Sequence, residues 1–430
     1  MDLNDVKVVG LYEPTITTTY GGHTAVELLH GMDAGFVMRG FFKWDVTPPS
    51  QYDELKASIA ELKQAVPELI YEGAVTTAFF VRDDTWADGR PISDSEFSQM
   101  VAHDKNGNPL PDPGFPNAGF LGDLASPLYR EYLAGWAEKQ IDAGVDAMFF
   151  DQVYGYAHYR VETMGQDLNL VYLDYAGYYK MLVDELKSYA ASRGRQFCAA
   201  RNSGVLMSVV EGYLQHPFLL QADDYIHGSF STDDFSPPFV PVEDFGKIKA
   251  DLTQAMGREV PIIMFIDWAG RKPGTQLSRF VSLSTEDQIT VLRNIDAATK
   301  QAGILFAYPV YGGQTVKGDY DSVKYGTYET IVSLATGSQL STTTASATSM
   351  IIYTTTSAYT TTYTSVIAAS GYTTTTVITT SGYTTATVTA SGTTGYGPYI
   401  PGFRIESIAL GLVVGLAVLF AIRTKRKETA

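Results

Sequence analysis

The sequence predicts an α/β protein in which a (β/α)8 TIM barrel is followed by a Thr-rich stalk and one C-terminal transmembrane helix. Short apolar runs alternate with amphipathic stretches along residues 1–336, which is typical of repeated βα units. The composition then changes abruptly, because no Asp, Glu, Lys, Arg or His occurs from Ser338 to Phe403. We therefore predict a barrel over 1–336, a Ser/Thr-rich low-complexity stalk over 337–400 and an anchor segment over 401–430.

Strand-like and helical segments can be counted along the predicted barrel. The strand-like runs are Val6–Tyr12, Gly35–Lys43, Leu69–Thr76, Asp146–Asp151, Gln196–Arg201, Leu220–Ile226, Pro261–Asp267 and Ile304–Tyr308. The helical segments include His23–His30, Tyr52–Ala65, Leu128–Ala143, Leu173–Ser192, Glu243–Met256, Glu286–Gln301 and Asp321–Leu334. A doubly wound open sheet is the alternative, but it usually has fewer strands and a Gly-rich first turn. The absence of a GxGxxG or Walker pattern favours the barrel.

The chain is acidic, with a formal net charge of −16. Phosphate binding needs clustered Lys and Arg, so we do not expect nucleic acid as a partner. Solubility is one explanation of the acidity, and a preference for cationic or amino-sugar ligands is the alternative. The scattered His residues lack metal-ligand spacing, and no nucleotide- or flavin-binding pattern occurs. We therefore predict no metal and no cofactor.

Acids and aromatic residues converge on the ends of the predicted strands. In TIM barrels the catalytic face lies at the carboxyl ends of the strands. The candidate residues there are Trp44, Asp45, Glu72, Asp151, Tyr154, Asn202, Asp223, Asp224, Asp267, Trp268 and Tyr308. Carboxylates can act as acid, base or nucleophile, and aromatic faces stack on sugar rings. The long segment from Arg82 to Ser126 follows strand three, and we expect it to fold over this face as a lid or binding wall.

A family resemblance is carried by two stretches, Ser126 to Tyr132 and Gly144 to Asp151. They resemble the helix-three and strand-four signature of barrel glycoside hydrolases, which include the α-galactosidase and polygalactosaminidase-like groups. The pattern of those groups is roughly GxDGxxxD, and this chain has Ala147 where the second Gly is usual. The resemblance implies that the strand-four acid, Asp151, is the nucleophile or its equivalent. It also implies an acid/base on strand six.

The resemblance places that acid/base on Asp224 or Asp223, although the end of strand five has Asn202 and no clear acid. We predict Asp151 as nucleophile or base and Asp224 as general acid, with Asp267 stabilising an oxocarbenium-like transition state. The pair of Asp151 with Asp267 is the second choice. The predicted sugar contacts are Trp44, Asp45, Glu72, Tyr154, Asn202, Asp223, Trp268 and Tyr308. A strand-end Asp can instead only cap the following helix.

The C-terminal segment predicts a membrane anchor. Ile405 to Ile422 is apolar except for Glu406 and Ser407, and such a run can cross ~30 Å of hydrocarbon. A basic cluster from Arg423 to Lys427 follows, which predicts a cytoplasmic tail and an extracellular barrel. A buried core helix is the alternative. The preceding Pro401-Gly402-Phe403 resembles the PGF-type sorting signal of archaeal surface proteins, which implies cleavage and lipid anchoring. An uncleaved membrane helix remains the other possibility.

The Thr-rich segment is a degenerate repeat, as in Tyr372-Thr373-Thr374-Thr375-Thr376. Its β-branched residues favour extended backbone, and its hydroxyls are suited to O-glycosylation. We predict a spacer between the barrel and the membrane, and a small β-rich module is the alternative. Export requires a signal, and Met1 to Asp5 offers no apolar region. We expect either a start site further upstream or a sequence that begins at the mature end.

Two functions from different classes are consistent with these features. The first is a cell-surface glycoside hydrolase that cleaves an extracellular poly- or oligosaccharide with a pair of Asp carboxylates. The second is a non-catalytic carbohydrate-binding or surface-coat protein on a glycosidase-derived barrel. The acids at the predicted strand ends favour the enzyme. The missing strand-five acid and the stalk favour the binding protein.

Overall fold

The chain divides into two compact units, Met1–Leu340 and Ser341–Ala430. In a computed structural model, the described residues of the first unit are 3, 6–14, 19–43, 47–48, 50–112, 119–205, 216–266, 276–312 and 320–337. Those of the second unit are 351–355, 361–369 and 372–380. Only the backbone is described for the second unit and for residues 202–205, 232 and 276.

Eight parallel strands of the first unit close into a barrel. They are β1 (Val8–Leu11), β2 (Phe36–Lys43), β3 (Ile70–Thr76), β4 (Ala147–Asp151), β5 (Cys198–Val205), β6 (Tyr225–Ser229), β7 (Ile262–Phe265) and β8 (Leu305–Gly312). Each strand pairs with the next along the chain, and the ring closes where Val8 of β1 lies between Phe36 of β2 and Ala307 of β8. The predicted TIM-barrel fold is confirmed.

Helices follow most of these strands and cover the outside of the ring. They are α1 (Ala25–Met32), α2 (Ser50–Ala65), α3 (Pro127–Ala143), α4 (Leu168–Ser192), α5 (Phe245–Met256), α6 (Thr285–Ala302) and α7 (Tyr328–Thr336). Between β5 and β6 the described residues include a short 3-10 helix, Pro217–Leu220. Local sequence sets the helix limits, as α3 shows. Ser126 accepts a hydrogen bond from the Tyr129 amide, and Gly144 ends the helix at φ 114°.

The position of β6 differs from the sequence prediction. The predicted run Leu220–Ile226 overlaps the strand only at Tyr225 and Ile226, because β6 begins at Tyr225 and ends at Ser229. Leu220 belongs to the preceding 3-10 helix. Apolar residues stand on both sides of the two acids, at Leu219 and Leu220 and at Tyr225 and Ile226, and periodicity alone cannot place a strand boundary between them. The change matters because it moves the acids at 223 and 224 from the carboxyl end of the strand to its amino end.

The described residues of the long segment after β3 include secondary structure of their own. The segment contains the helix Asp94–Met100 and a short antiparallel pair between Phe79–Phe80 and Phe120–Leu121. Aromatic contacts hold it to α3, since the Phe80 ring lies 5.5 Å from Tyr129 and 5.2 Å from Tyr132. Both of its ends therefore join the barrel on the side of β3 and α3.

The described residues of the second unit form a three-stranded antiparallel sheet of Ile351–Thr355, Thr361–Ala369 and Tyr372–Thr380. Such a sheet is what the β-rich alternative for the Thr-rich segment describes. Among the described residues, no helix is both long and apolar enough to span a bilayer. The predicted anchor, Pro401 to Ala430, lies outside the described residues.

Candidate functional site

Cross-barrel contacts identify the side chains that point into the barrel. The rings of Phe36 on β2 and Tyr225 on β6 lie 5.9 Å apart, and those of Phe149 on β4 and His227 on β6 stack at 4.7 Å. Since side chains alternate along a strand, Asp151 faces the same way as Phe149. Asp151 is the last residue of β4 and pairs with Thr76, the last residue of β3. Its carboxylate therefore stands at the carboxyl end of the barrel.

The backbone around Asp151 is tightly fixed. Its carbonyl oxygen accepts a hydrogen bond from the Thr77 amide at 2.9 Å and another from the Thr77 hydroxyl. The next residue, Gln152, has φ 56°, so the chain turns in a left-handed conformation immediately after β4. Asp151 is only 6% exposed. This geometry suits a carboxylate that must hold one orientation at the mouth.

Beneath Asp151 the barrel interior contains the polar side chains of Glu72, Tyr225 and His227, which we call the floor. Branched aliphatic residues usually fill this space in such barrels. Glu72 is fully buried and accepts hydrogen bonds from the backbone amide of Arg39 at 2.8 Å and from the Tyr225 hydroxyl. The Nε2 atom of His227 lies 2.9 Å from its Oε1 atom. Glu72 was predicted as a sugar contact, and this is wrong, since a fully buried carboxylate is not accessible to a substrate.

The predicted positions of Asp223 and Asp224 at the mouth are also wrong. Both precede β6 and lie at the opposite end of the barrel from Asp151. Asp224 accepts a hydrogen bond from the Ala199 amide at 2.8 Å and pairs with Lys187 of α4 at 2.9 Å. Asp224 therefore lies at the amino end of β6, away from the carboxyl ends of the strands where the catalytic groups of TIM barrels are found.

Asp223 belongs to a buried cluster between β5 and α4. Its Oδ2 atom lies 2.7 Å from Nε of Arg201, and Oδ1 accepts a hydrogen bond from the Tyr179 hydroxyl at 2.8 Å. Burial raises the pKa of Asp223 to about 6, and the positive charge of Arg201 opposes that rise. This pairing stabilises the outer layer of the barrel and leaves Asp223 without access to a sugar.

Tyr308 and Tyr154 were predicted to contact a sugar, but in the structure their hydroxyl groups bond to other parts of the protein. Tyr308 is on the outward face of β8, where its hydroxyl donates to Asp296 of α6 at 2.6 Å, so its predicted place at the mouth is wrong. Tyr154 is half-buried and donates to the Leu219 carbonyl at 3.2 Å. The Arg201 guanidinium lies 4.7 Å from the centre of its ring. The Tyr154 ring and hydroxyl are therefore both engaged within the protein.

Several other candidates cannot be placed. Trp44, Asp45, Asp267, Trp268 and the side chain of Asn202 lie outside the described residues. Among the described residues, no group of three or more His, Cys, Asp and Glu side chains could hold a metal ion. Of the predicted catalytic acids within the described part of the chain, Asp151 is the one at the mouth.

A buried ion pair fixes the long segment after β3 to the barrel. Nζ of Lys43, at the end of β2, lies 2.6 Å from Oδ2 of Asp84, and both side chains are almost completely buried. The Tyr132 hydroxyl donates to the same carboxylate at 2.5 Å, and the ammonium lies 4.8 Å from the centre of a Trp136 ring. Lys43 appeared in the sequence only as a polar strand end, and nothing there indicated Asp84 as its partner.

Two acids, Asp234 and Glu243, lie close together in the loop between β6 and α5. Asp234 is buried and accepts hydrogen bonds from the amides of Ser231 at 2.9 Å and Val242 at 2.8 Å. Burial, and next the negative charge of Asp234, raise the pKa of Glu243 to about 7. Glu243 is therefore a partly protonated carboxyl group near neutral pH.

The sequence interpretation missed Arg39 beside the floor and His227 within it. Arg39 interrupts the apolar run of β2 and is followed by Gly40. A charged residue next to Gly inside a buried strand indicates a bulge, and this signal was available in the sequence. His227 carried no such signal, because a single His after an apolar run is common in protein cores.

Comparisons with known proteins establish no family for this chain. No family model matches it, and no curated protein matches it. The solved structures that resemble it include the glycoside hydrolase domain of PelA from Pseudomonas aeruginosa, at 14% identity and a TM-score of 0.38, over 70% of this chain and 94% of that one. Eubacterium rectale Amy13B is 12% identical with a TM-score of 0.43, over 87% of each chain.

The complex of Aspergillus fumigatus Ega3 with galactosamine is 13% identical with a TM-score of 0.33, over 66% of this chain and 89% of that one. Likenesses of this size carry no argument about activity. The barrel itself is established by its strand pairing.

Proposed function

We propose that the protein is a glycoside hydrolase that acts on an extracellular poly- or oligosaccharide, with Asp151 as the nucleophile or base. The position of Asp151 carries the proposal, since it is an inward-facing carboxylate at the carboxyl end of β4. Catalytic groups of TIM barrels come from these strand ends. The strand-four motif that resembles barrel glycosidases ends at the same residue.

The mechanism requires a second carboxyl group on the other side of the scissile bond. With Asp224 at the opposite end of the barrel, we propose Asp267 as that partner. Asp267 follows Phe265 of β7 by two positions in the sequence and lies outside the described residues. The proposed catalytic pair is therefore Asp151, the last residue of β4, and Asp267, which follows β7 in the sequence.

Hydrolysis of neutral and amino-sugar polysaccharides by the purified protein tests the proposal. Asp151→Asn is expected to reduce kcat by at least about 10³-fold while sugar binding persists, because the amide keeps the shape but cannot act as nucleophile or base. Asp224→Asn is the matched control, and it is expected to retain activity. Turnover unchanged in Asp151→Asn would refute the proposed mechanism.

The displacement of Asp224 from the mouth favours the alternative, a non-catalytic carbohydrate-binding or coat protein. In that case both the wild-type protein and Asp151→Asn would bind a polysaccharide, and neither would release reducing ends. Binding isotherms measured beside the hydrolysis assay separate the two functions.

We also propose that the protein is displayed on the cell surface and held by its C-terminal segment. The apolar run Ile405 to Ile422 and the basic residues after it support this proposal. Protease treatment of intact cells should remove the barrel. Mass spectrometry of the C-terminal peptide would distinguish a retained helix from a cleaved one, and a fully cytoplasmic protein would refute the proposed location.

A further inference from the structure

Helix α4 has apolar residues on both of its faces, one towards the barrel and one towards solvent. On the inner face, the ring of Tyr179 contacts that of Phe150 on β4 at 5.6 Å. On the outer face, Leu170 is 65% exposed, Leu173 54% and Met181 57%. The outer face of a helix that covers a barrel is normally polar. Among the described residues, four of the six large apolar side chains that are exposed belong to α4, so this face is unusual within the protein.

The exposed residues follow one line along α4. Residues four apart in an α-helix lie on the same face, about 6 Å apart along its axis. Leu173, Gly177 and Met181 are spaced in this way, and Leu170 lies within about 20° of Gly177 around the helix. We call these four residues the α4 ridge. Its centre is Gly177, with a large apolar side chain one turn before it and another one turn after it.

The packing of the barrel does not account for Gly177. A Cβ atom at this position would have no heavy atom of the described residues within 4 Å, and the residue lies inside a regular helix. Glycine inside a helix is unfavourable relative to alanine, because it loses more backbone freedom on folding. A glycine on the outer face does allow a second helix to approach closely, since the distance between packed helices depends on the side chains at their contact.

The order of residues around Gly177 suits a second copy of the same helix. When a two-fold axis is perpendicular to α4, the two copies of the helix are antiparallel. With Gly177 at the axis, Leu173 of each copy is level with Met181 of the other, because both are four residues from the glycine. Asp174 is then level with Lys180 of the other copy and not with another acid. This matters in a chain with a net charge of −16, whose copies repel each other.

We infer that the α4 ridge is an interface through which two copies of this chain pair side by side. Lys180 already pairs with Asp184 of its own helix, but that pair is exposed and contributes little to stability. The inference goes beyond the proposed hydrolysis and does not depend on it, because the ridge is on the outside of the barrel and not at its carboxyl end.

Disulfide cross-linking of the full chain tests the position of the axis. At the usual distance between packed helices, the Cα atoms of the two copies of Gly177 would be about 3.5–5.5 Å apart, which a disulfide can bridge. Gly177→Cys is therefore expected to form a disulfide-linked dimer in more than about half of the molecules under mild oxidation. Ser188→Cys is the matched control, since it is on the same outer face but about 16 Å further along α4, so its two copies would be more than about 30 Å apart. Burial raises the pKa of the native Cys198 to about 11, so its thiol should add little background.

A charge on the α4 ridge should prevent pairing. Leu173→Asp, introduced together with Gly177→Cys, is expected to reduce the cross-linked fraction at least about tenfold, because it places two carboxylates in an apolar contact. Val240→Asp is the control, since Val240 is 56% exposed but lies in the loop between β6 and α5. It is expected to change the yield by less than about twofold. Both substitutions are at exposed sites, so neither variant should lose its fold.

Absence of a cross-link in Gly177→Cys would overturn the inference. Equal cross-linking of Gly177→Cys and Ser188→Cys would also overturn it, since this indicates collision without a defined axis. A yield that persists with Leu173→Asp would do the same, because the apolar contact would then not hold the pair together. Pairing through the C-terminal segment instead would appear as a dimer in sedimentation equilibrium that forms no cross-link in Gly177→Cys.

Discussion

Glu72 and His227 meet in the centre of the barrel, with 2.9 Å between Oε1 and Nε2. Glu72 is on β3 and His227 on β6, so their contact crosses the ring between strands that are not neighbours. Both residues are completely buried. A polar connection of this kind links opposite walls of the barrel directly below the carboxyl end where Asp151 lies.

The loss of this connection should reduce stability. We expect Glu72→Gln to lower the free energy of unfolding by about 2–3 kcal/mol, because one of two buried acceptor oxygens is replaced by an NH2 group that cannot accept hydrogen bonds from its close partners. Urea unfolding monitored by tryptophan fluorescence measures the change. Glu131→Gln on the exposed side of α3 is the control, with an expected effect within about 0.5 kcal/mol. Equal stability of the two variants would contradict the prediction.

The buried pair of Arg201 and Asp223 leads to a pH-dependent prediction. Arg201→Met should destabilise the protein by about 3–5 kcal/mol at pH 8, because Asp223 is then a buried charge without its cation. The pKa of Asp223 is already raised to about 6, and loss of Arg201 raises it further. At pH 5 the carboxyl is neutral in the folded protein, so the destabilisation should be smaller. A loss of stability independent of pH between these values would contradict this account.

Asp224 offers a direct test of its corrected position. Asp224→Asn is expected to keep kcat/KM within about twofold of the wild type, because the residue is at the amino end of β6. Its stability should fall by about 1 kcal/mol, since the pair with Lys187 is partly exposed to solvent. Steady-state kinetics and urea unfolding measure the two effects. A loss of turnover like that expected of Asp151→Asn would restore Asp224 as a catalytic candidate.

The Lys43–Asp84 pair should determine how firmly the segment after β3 is held. Lys43→Met leaves the Asp84 carboxylate buried, and we expect a loss of about 3–5 kcal/mol together with faster proteolysis within residues 82–112. Arg82→Met removes a solvent-exposed pair with Asp94 from the same segment and serves as the control. Its expected effect is within about 0.5 kcal/mol. Similar proteolysis of the two variants would show that the buried pair does not hold this segment.

Glu243 should give the folded protein a pH dependence between its ordinary pKa and about 7. A raised carboxyl pKa means that the folded state retains a proton that the unfolded state releases, so stability decreases as pH rises through this range. We expect about 1 kcal/mol of this decrease to disappear in Glu243→Gln, a value reduced for the partial exposure of the side chain. Urea unfolding at pH 5 and pH 8 measures the difference. An unaltered pH dependence in the variant would exclude Glu243 as its source.

The sequence by itself determined the barrel and the place of Asp151. Alternating apolar runs and amphipathic helices are local patterns, so they can be recognised in the sequence without knowledge of the contacts made by the rest of the chain. The apolar run that ends at Asp151 follows Gly144, a helix-ending residue, and is followed by the polar Gln152, so both ends of the strand could be recognised in the sequence. Lys43 and Glu72 were recognised as polar residues within or at the ends of strands, but their partners were not.

Only the tertiary structure decided which end of β6 carries Asp224, because the apolar residues on both sides of that acid suit a strand equally well. It also decided that Glu72 belongs to the floor and that Tyr308 faces α6, since alternation fixes the two faces of a strand but not which one points inward. The contacts of Arg39 with Phe149 and Phe265 join residues more than a hundred positions apart. Closure of the ring creates such contacts, and no local sequence pattern predicts them.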